Sequence, residues 1–381
     1  MKLKNVSLED AKLYLKKLAE QLENKTPEQQ MMKYLVENGV EKFATPYNVS
    51  WEVTAACNLR CKHCCFAGQE YNPQKDISHE DAINFVQQLL AGDVVKVMLT
   101  GGEPLLRTDL FDIIELLKTK NVAIELTSNA ILINDENAKK LGQLLNPLSD
   151  YVQVSLDGAD IEIHENTRGK GSFEKTIAGI KLLIQNGVKV TINCVVTTVN
   201  MHQMCELYDL AYELGASLIT FSKIHPGEEN KDLVPDNNLL FVETMKLLRY
   251  EKEILPINLR LFSLPEIATN SVLMQVYGGN KPKIRNFICH RNEKMHIRKD
   301  GEVYLCLYAS TKDVCSLGNI KNNSLSEILE NMLENPLFQE RIIENSKCNN
   351  CNLQFYCKAG CPANAYLKNG TINTFDFICE K

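Results

Sequence analysis

The chain has 381 residues, of which 44% are hydrophobic and 24% charged, and its formal net charge is −6. This length suits a domain of roughly 200–250 residues plus a smaller one. The negative charge and the lack of a dense Lys/Arg stripe argue against nucleic acid as a partner.

The first residues, MKLKNVSLEDAK, contain no apolar h-region, and no run of about 18 uncharged apolar residues occurs in the chain. We therefore expect a cytoplasmic protein with no membrane partner. In a reducing cytosol, fourteen cysteines indicate metal ligation or redox chemistry rather than disulfides.

An amphipathic helix is predicted near the start of the chain. Ser7 is placed to cap it, and its apolar residues recur every three or four positions, at Leu8, Ala11, Leu15, Leu18 and Leu22. We expect residues 1–47 to form a helical extension that packs on the main domain.

From residue 48 to 230, short β-rich runs alternate with helical stretches. The runs are VSWEVT, VVKVMLT, VAIELTSN, YVQVSLDG, VTINCVVT and SLITFSKI. Helical stretches such as SHEDAINFVQQLLA begin near Ser or Thr caps. The alternation predicts an α/β fold with a parallel sheet covered by helices. Periodicity alone does not distinguish an open doubly wound sheet from a complete or partial barrel.

A CxxxCxxC pattern follows the first predicted strand, at Cys57, Cys61 and Cys64. We call residues 57–64 the cluster loop. Three thiolates on one short loop suit a [4Fe-4S] cluster whose fourth iron stays open to a substrate or cofactor. On this pattern alone, a zinc site with one remote ligand and three buried cysteines are the alternatives.

The motif TGGEP, residues 100–104, ends the second predicted strand. Its two glycines let the backbone approach a ligand closely, and Glu103 offers an acceptor. Both motifs stand at the carboxyl ends of consecutive strands, where α/β sheets place their chemistry. We therefore predict that they form one site.

These two motifs resemble the signature of the radical S-adenosylmethionine (SAM) superfamily. The resemblance implies a partial (β/α)6 TIM-like barrel over residues 48–230. It also implies that a [4Fe-4S] cluster on the cluster loop reductively cleaves SAM to a 5′-deoxyadenosyl radical, which abstracts a substrate hydrogen. A flavodoxin- or ferredoxin-like protein would donate the electron. The residues implied to contact SAM are His63, Gly101, Gly102, Glu103, Ser128, Asn129, Ser155 and Arg168.

Several of these residues also have purely structural interpretations. Ser128 and Asn129 could simply turn the chain, and Arg168 could be a surface charge. Asp157 and Gly158 could be only a turn.

The regular alternation stops after about residue 230. Residues 231–288 are interpreted as a helical linker, because they combine one predicted helix with scattered prolines. Residues 289–381 are rich in Cys, Asn and turn signals and hold eight of the fourteen cysteines. A second domain is predicted there.

The spacing of these C-terminal cysteines resembles that of the SPASM domain, an extension of some radical SAM enzymes. The resemblance implies two auxiliary [4Fe-4S] clusters, and three clusters in all. The first would be bound by Cys289, Cys306 and Cys361, with its fourth iron either bound by Cys315 or open to substrate. The second would be bound by Cys348, Cys351, Cys357 and Cys379. Such clusters also have a structural interpretation, as staples of a small domain.

The remaining chemistry-bearing residues carry weaker signals. Cys65, Cys194 and Cys205 fit no ligand pattern, so we expect them to pack in the interior. His225 follows the sixth predicted strand, but a single histidine in a loop does not identify a catalytic group. No catalytic acid or base is assigned.

The SPASM resemblance favours a ribosomally made precursor peptide or protein as substrate, modified by a thioether or carbon–carbon crosslink or by epimerisation. Leu307 stands where sulfatase maturases usually carry Asp, which argues against that subgroup. No dedicated leader-binding domain is expected before the first strand. A tetrapyrrole, haem-pathway or other small-molecule enzyme is therefore the alternative. A non-catalytic iron–sulfur electron carrier is a further alternative, although it needs neither GGEP nor Arg168.

Overall fold

The computed structural model describes residues 48–65, 72–224, 229–253, 258–262, 294–337 and 361–374. The predicted N-terminal helix and His225 lie outside the described residues. So do five of the predicted auxiliary ligands, namely Cys289, Cys348, Cys351, Cys357 and Cys379.

A single sheet contains ten strands of the described residues, in the order β10-β9-β8-β1-β2-β3-β4-β5-β6-β7. Neighbours from β8 through β1 to β7 are parallel, whereas β9 and β10 are antiparallel to their neighbours. The strands are β1 (Asn48–Thr54), β2 (Lys96–Gly101), β3 (Ala123–Ser128), β4 (Tyr151–Ser155), β5 (Val190–Val196), β6 (Leu218–Lys223), β7 (Asn258–Phe262), β8 (Lys294–Ile297), β9 (Glu302–Tyr304) and β10 (Gly318–Asn319).

Helices connect the parallel strands in sequence order. They are α1 (His79–Ala91), α2 (Leu110–Lys118), α3 (Asp135–Leu144), α4 (Ile161–Arg168), α5 (Phe173–Gln185), α6 (Met204–Glu213) and α7 (Asn237–Glu253). Three helices follow β9, namely α8 (Leu307–Thr311), α9 (Leu325–Glu334) and α10 (Pro362–Asn369). The α/β fold with a parallel-rich sheet and the partial barrel predicted from the sequence are confirmed.

The alternation of strand and helix continues past residue 230. Helix α7 is followed by β7, which pairs parallel with β6, although the sequence pattern indicated six strands and a linker. The polar residues Asn258 and Arg260 alternate with leucines in β7 and weakened the strand signal. On the other side, β8 pairs parallel with β1. One sheet therefore crosses both predicted boundaries, at 231 and 289, and the domain division stays a prediction.

Alternation along β1 separates two faces of the barrel wall. Val49, Trp51 and Val53 are buried in the hydrophobic core, and the Trp51 ring meets Phe85 of α1 edge to face at 5.7 Å. Because neighbouring side chains of a strand point to opposite faces, Glu52 points the other way, into the barrel lumen. The core thus lies between sheet and helices, and the polar face is left to the lumen.

Local signals fix where two of the helices begin. The Ser78 hydroxyl accepts the Asp81 N–H at 3.1 Å and caps α1, as predicted. Ser324 and Glu327 form a reciprocal capping box at the start of α9. Among the described residues, no helix is long and apolar enough to cross a membrane.

Candidate active site

Asp76 turns the chain from β1 into the cluster loop. Thr54 Oγ1 donates to Asp76 Oδ2 at 2.5 Å, and the Ala55 N–H donates to Asp76 Oδ1 at 2.7 Å. Arg107 supports the same turn, because its guanidinium donates to the Val53 carbonyl at 2.7 Å. The sequence analysis missed both residues, since they lie in connections that carry no motif.

The cluster loop places its three cysteines, partly buried, beside one another. Burial raises the pKa of Cys57 and raises that of Cys61 to about 11, and the neighbouring thiols act in the same direction. Without a metal, these groups are therefore protonated at neutral pH, and metal binding would release protons.

The donor set fits a cluster rather than a single ion. No three His, Cys, Asp or Glu side chains of the described residues converge to hold one metal ion. In a [4Fe-4S] cluster each thiolate binds a different iron, so the thiolates need not converge on one point. Three thiols on one loop therefore fit the cluster that the sequence predicts.

The two glycines of the GGEP motif hold the cluster loop against the end of β2. The Gly102 N–H donates to the Thr54 carbonyl at 2.8 Å, and the Glu103 N–H donates to the Ala56 carbonyl at 2.7 Å. Gly101 has φ +128°, which side chains rarely adopt. A Cβ on Gly102 would lie 2.0 Å from the Ala56 carbonyl oxygen. The close approach served by these glycines is thus to the chain's own backbone.

Glu103 joins the ends of β2 and β3. Its buried carboxylate accepts the Ser128 hydroxyl and the Asn129 N–H, each at 2.8 Å. Burial raises the pKa of Glu103, and these hydrogen bonds oppose the shift. Asn129 Nδ2 in turn donates to Asn58 Oδ1 in the cluster loop at 2.8 Å. The structure therefore brings three of the predicted SAM-contacting residues together beside the cluster loop.

Arg168, at the end of α4, is buried beside the cluster loop. Its Nε donates to Asp157 Oδ2 at 2.5 Å, and a terminal nitrogen lies 3.9 Å from Cys61 Sγ. The neighbouring Lys62 N–H donates to the Thr167 carbonyl at 2.9 Å. Arg168 is therefore no surface charge, and α4 is bound directly to the cluster loop.

Asp157 follows β4 and is completely buried. Its Oδ2 also lies 3.3 Å from His63 Nε2, and its Oδ1 accepts the Val195 N–H at 2.9 Å. Burial acts to raise the pKa of Asp157, but the Arg168 charge outweighs burial and lowers it. The sequence analysis treated Asp157 as a possible turn residue, whereas it connects the cluster loop, β4, α4 and β5.

The His63 ring has a free acceptor or donor atom at this site. Burial lowers the pKa of His63, so the ring is neutral at neutral pH. Its Nδ1 is buried and has no hydrogen-bond partner among the described residues. An orphaned buried nitrogen beside the cluster loop is what a bound polar ligand would satisfy.

Polar side chains line the lumen below this edge. Ser155 ends β4 and is paired in register with Asn193 of β5, whose side chain accepts the Ser222 hydroxyl at 2.8 Å. At the amino-terminal end, Glu125 accepts from Lys96 Nζ at 2.7 Å, Tyr151 Oη at 2.5 Å and Gln153 Nε2 at 2.7 Å. The lumen is thus polar at both levels.

Three C-terminal cysteines are described, and two of them precede helices. Cys306 caps α8, where its Sγ accepts the Ala309 N–H at 3.4 Å, and Cys361 precedes α10. Cys315 has φ +57°, and its thiol is hydrogen-bonded to Tyr366 of α10. Cys315 therefore packs against the helix that begins at Cys361.

The other cysteines have core positions. Cys194 is buried in the hydrophobic core, and Cys205 packs against it. Cys65 lies near Glu52, and burial raises its pKa. All three are thus thiols in packed surroundings.

Comparison with known families decides the class of this site. The family profile described as the Radical SAM superfamily matches residues 51–211, which include the cluster loop, GGEP and Arg168. A second profile, SPASM, described as an iron–sulfur cluster-binding domain, matches residues 289–352.

The chain belongs to the radical SAM superfamily. It carries a C-terminal SPASM domain, and its cofactors are iron–sulfur clusters and SAM. The chain is an enzyme of the radical SAM type rather than a non-catalytic electron carrier.

Relatives of two kinds are similar over most of the radical SAM enzyme. An AdoMet-dependent heme synthase of Methanosarcina barkeri is 28% identical over 85% of this chain and 93% of its own length. The mycofactocin maturase MftC of Mycobacterium tuberculosis is 26% identical over 86% of this chain and 81% of its own length.

Solved structures share the fold. SuiB of Streptococcus suis bound to its precursor peptide SuiA has a TM-score of 0.73 at 19% identity, and covers 98% of this chain and 88% of its own. The structure of anSMEcpe with bound AdoMet has a TM-score of 0.67 at 20% identity, and covers 88% of this chain and 94% of its own. At these identities the likeness shows the fold alone.

Proposed function

We propose that Cys57, Cys61 and Cys64 bind the SAM-cleaving [4Fe-4S] cluster. When bound, the cluster and SAM supply a 5′-deoxyadenosyl radical that abstracts a hydrogen atom from the substrate. The Glu103 network and the Asp157–Arg168 pair keep the cluster loop at the carboxyl edge of the sheet. The polypeptide thus supplies position and shields the site from water.

SAM is proposed to bind along the same edge. Its contacts would be His63, Gly101, Gly102, Glu103, Ser128, Asn129, Ser155 and Arg168. Six of these eight are already joined by hydrogen bonds around the cluster loop or to Asp157, and the free Nδ1 of His63 offers a further contact. Such pre-positioned groups lower the cost of ordering the site when the ligand binds.

The auxiliary clusters are proposed to lie in the C-terminal domain. Cys289, Cys306, Cys361 and Cys315 would bind the first, and Cys348, Cys351, Cys357 and Cys379 the second. The contact between Cys315 and Tyr366 supports Cys315 as the fourth ligand, because Tyr366 lies on the helix that follows Cys361. The enzyme would then hold three four-iron clusters, reduced through a flavodoxin- or ferredoxin-like donor.

The substrate is proposed to be a ribosomally made peptide or protein. The observation that carries this proposal is the open sheet: β7 and β10 end it on opposite sides, and neither pairs with the other among the described residues. A closed barrel admits substrate only through its ends, whereas an open one also admits a polypeptide segment from the side. Similar solved structures hold the precursor peptide SuiA and the Cp18Cys peptide.

The second candidate is a tetrapyrrole or other small molecule. The heme synthase similarity favours it, because that relative matches over 93% of its length. The polar lumen, with Lys96, Asn193 and Ser222 on its strands, suits a substrate carrying carboxylates.

One experiment separates the two candidates. The reconstituted enzyme is incubated anaerobically with SAM, a reductant and either a precursor peptide encoded beside its gene or didecarboxysiroheme. A mass change of the peptide alone supports peptide modification, and a mass change of the tetrapyrrole alone supports the second candidate. The variant with Ala at all three cysteines of the cluster loop is the control, and it should change neither.

A further inference from the structure

Asp157 touches four separate parts of the site through its side chain and backbone. Its carboxylate contacts Arg168, His63 and the Val195 N–H, while the Asp157 N–H donates to His164 Nδ1 at 3.2 Å. Asn200 Nδ2 donates to the Asp157 carbonyl at 2.9 Å. A fully buried carboxylate with so many fixed contacts has one orientation available.

That orientation determines where the Arg168 guanidinium points. The guanidinium is a rigid plane, so anchoring Nε on Asp157 at 2.5 Å fixes the direction of its two terminal nitrogens. One of these nitrogens lies 3.9 Å from Cys61 Sγ. The charge of Arg168 is therefore held against a thiol of the cluster loop by a residue that does not itself contact that thiol in the structure.

We propose that Asp157 is a positioning residue that acts through Arg168 to make the cluster easier to reduce. The proposal rests on the ligation of the cluster by Cys61. Reduction adds an electron, and a guanidinium beside a ligand sulfur stabilises the added negative charge, since hydrogen bonds to the sulfurs and nearby charge set cluster potentials. Asp157 thereby links SAM-site geometry to the electron-transfer step.

A purely electrostatic role of Asp157 makes the opposite prediction. Asp157→Asn removes a negative charge near the cluster, which by itself would make reduction easier and raise the potential. If Asp157 acts by aiming Arg168, the same change releases the guanidinium from Cys61 and lowers the potential. The sign of the shift therefore distinguishes the two roles.

The test is a double-mutant cycle on the holoenzyme without SAM. Asp157→Asn, Arg168→Met and the double variant are titrated anaerobically with EPR detection. The relevant cluster signal is the one missing when all three cysteines of the cluster loop are Ala. We expect each single variant to lose about tenfold in the reduction equilibrium, a shift of about −59 mV for one electron. The double variant should match Arg168→Met, because the two residues act as one unit.

Asp160→Asn is the matched control. Asp160 lies three residues further along and caps α4, with its Oδ1 accepting the Ile163 N–H at 2.9 Å, and Asn caps a helix equally well. The substitution removes the same charge from the same segment without touching Arg168, so the potential should stay at the wild-type value.

Two results would overturn the proposal: a positive shift in Asp157→Asn, or additive shifts in the double variant. If Asp157→Asn does not fold, Arg168→Lys decides instead. It keeps the charge but replaces the two-nitrogen fork with one ammonium, so it should show at least half of the Arg168→Met shift, and a wild-type potential would refute the positioning role. Full iron content in the three-cysteine variant would instead refute the cluster ligands.

Discussion

Gly102→Ala tests how the GGEP motif supports the cluster loop. The added Cβ would lie 2.0 Å from the Ala56 carbonyl oxygen and 2.6 Å from its carbon, so backbone rather than a flexible side chain must move. Movement would strain the hydrogen bonds from Gly102 to Thr54 and from Glu103 to Ala56. Overpacking and two weakened hydrogen bonds together cost about 2–5 kcal/mol.

Gly142→Ala is a control with a similar steric clash away from the cluster. Its Cβ would lie 2.3 Å from the Asn186 carbonyl oxygen, where α3 meets the end of α5. Both variants should unfold at lower urea concentration than the wild type. Only Gly102→Ala should also lose iron, because only its clash displaces the cluster loop.

The assay combines anaerobic urea unfolding, followed by circular dichroism, with iron counts on the folded fraction. We expect about four fewer irons in Gly102→Ala and an unchanged count in Gly142→Ala. Equal iron loss in both variants would show that general destabilisation, and not the glycine contact, empties the site. Wild-type stability in Gly102→Ala would refute the steric argument itself.

Three further predictions follow from the cysteines and the lumen. Replacing all three cysteines of the cluster loop by Ala should lower the iron count from about twelve to about eight and abolish reductive SAM cleavage; retained cleavage would contradict the ligand assignment. Cys315→Ala should change the EPR signal of one auxiliary cluster and leave the signal that responds to SAM unchanged; an identical spectrum would favour an open iron. Burial acts to raise the pKa of Glu125, but Lys96 and the hydrogen bonds outweigh it and hold that pKa at about 2. Wild-type stability should therefore fall by roughly 3 kcal/mol as the pH drops from 4.5 to 2, whereas Glu125→Gln should start lower and stay flat over that range in urea unfolding; a parallel decline would contradict the assignment.

The sequence by itself determined the chemistry-bearing segments. The cluster loop and GGEP are short motifs at strand ends, and the periodicity of neighbouring segments predicts the strands and helices that carry them. Their meeting at one edge follows from the parallel sheet, and the structure confirms that partial barrel. Strand β7 was missed because two polar residues interrupt its five-residue run, which is a weak signal.

Only the tertiary structure decided which residues support the site. Cys61 and Arg168 are 107 positions apart, and Thr54 and Asp76 are 22 apart, so no local pattern predicts either contact. Asp157 looks like a turn residue in the sequence, because burial is a property of the packed fold and not of the segment SLDG. Burial removes water from its carboxylate, and the buried charge then requires the Arg168 partner that local sequence could not reveal.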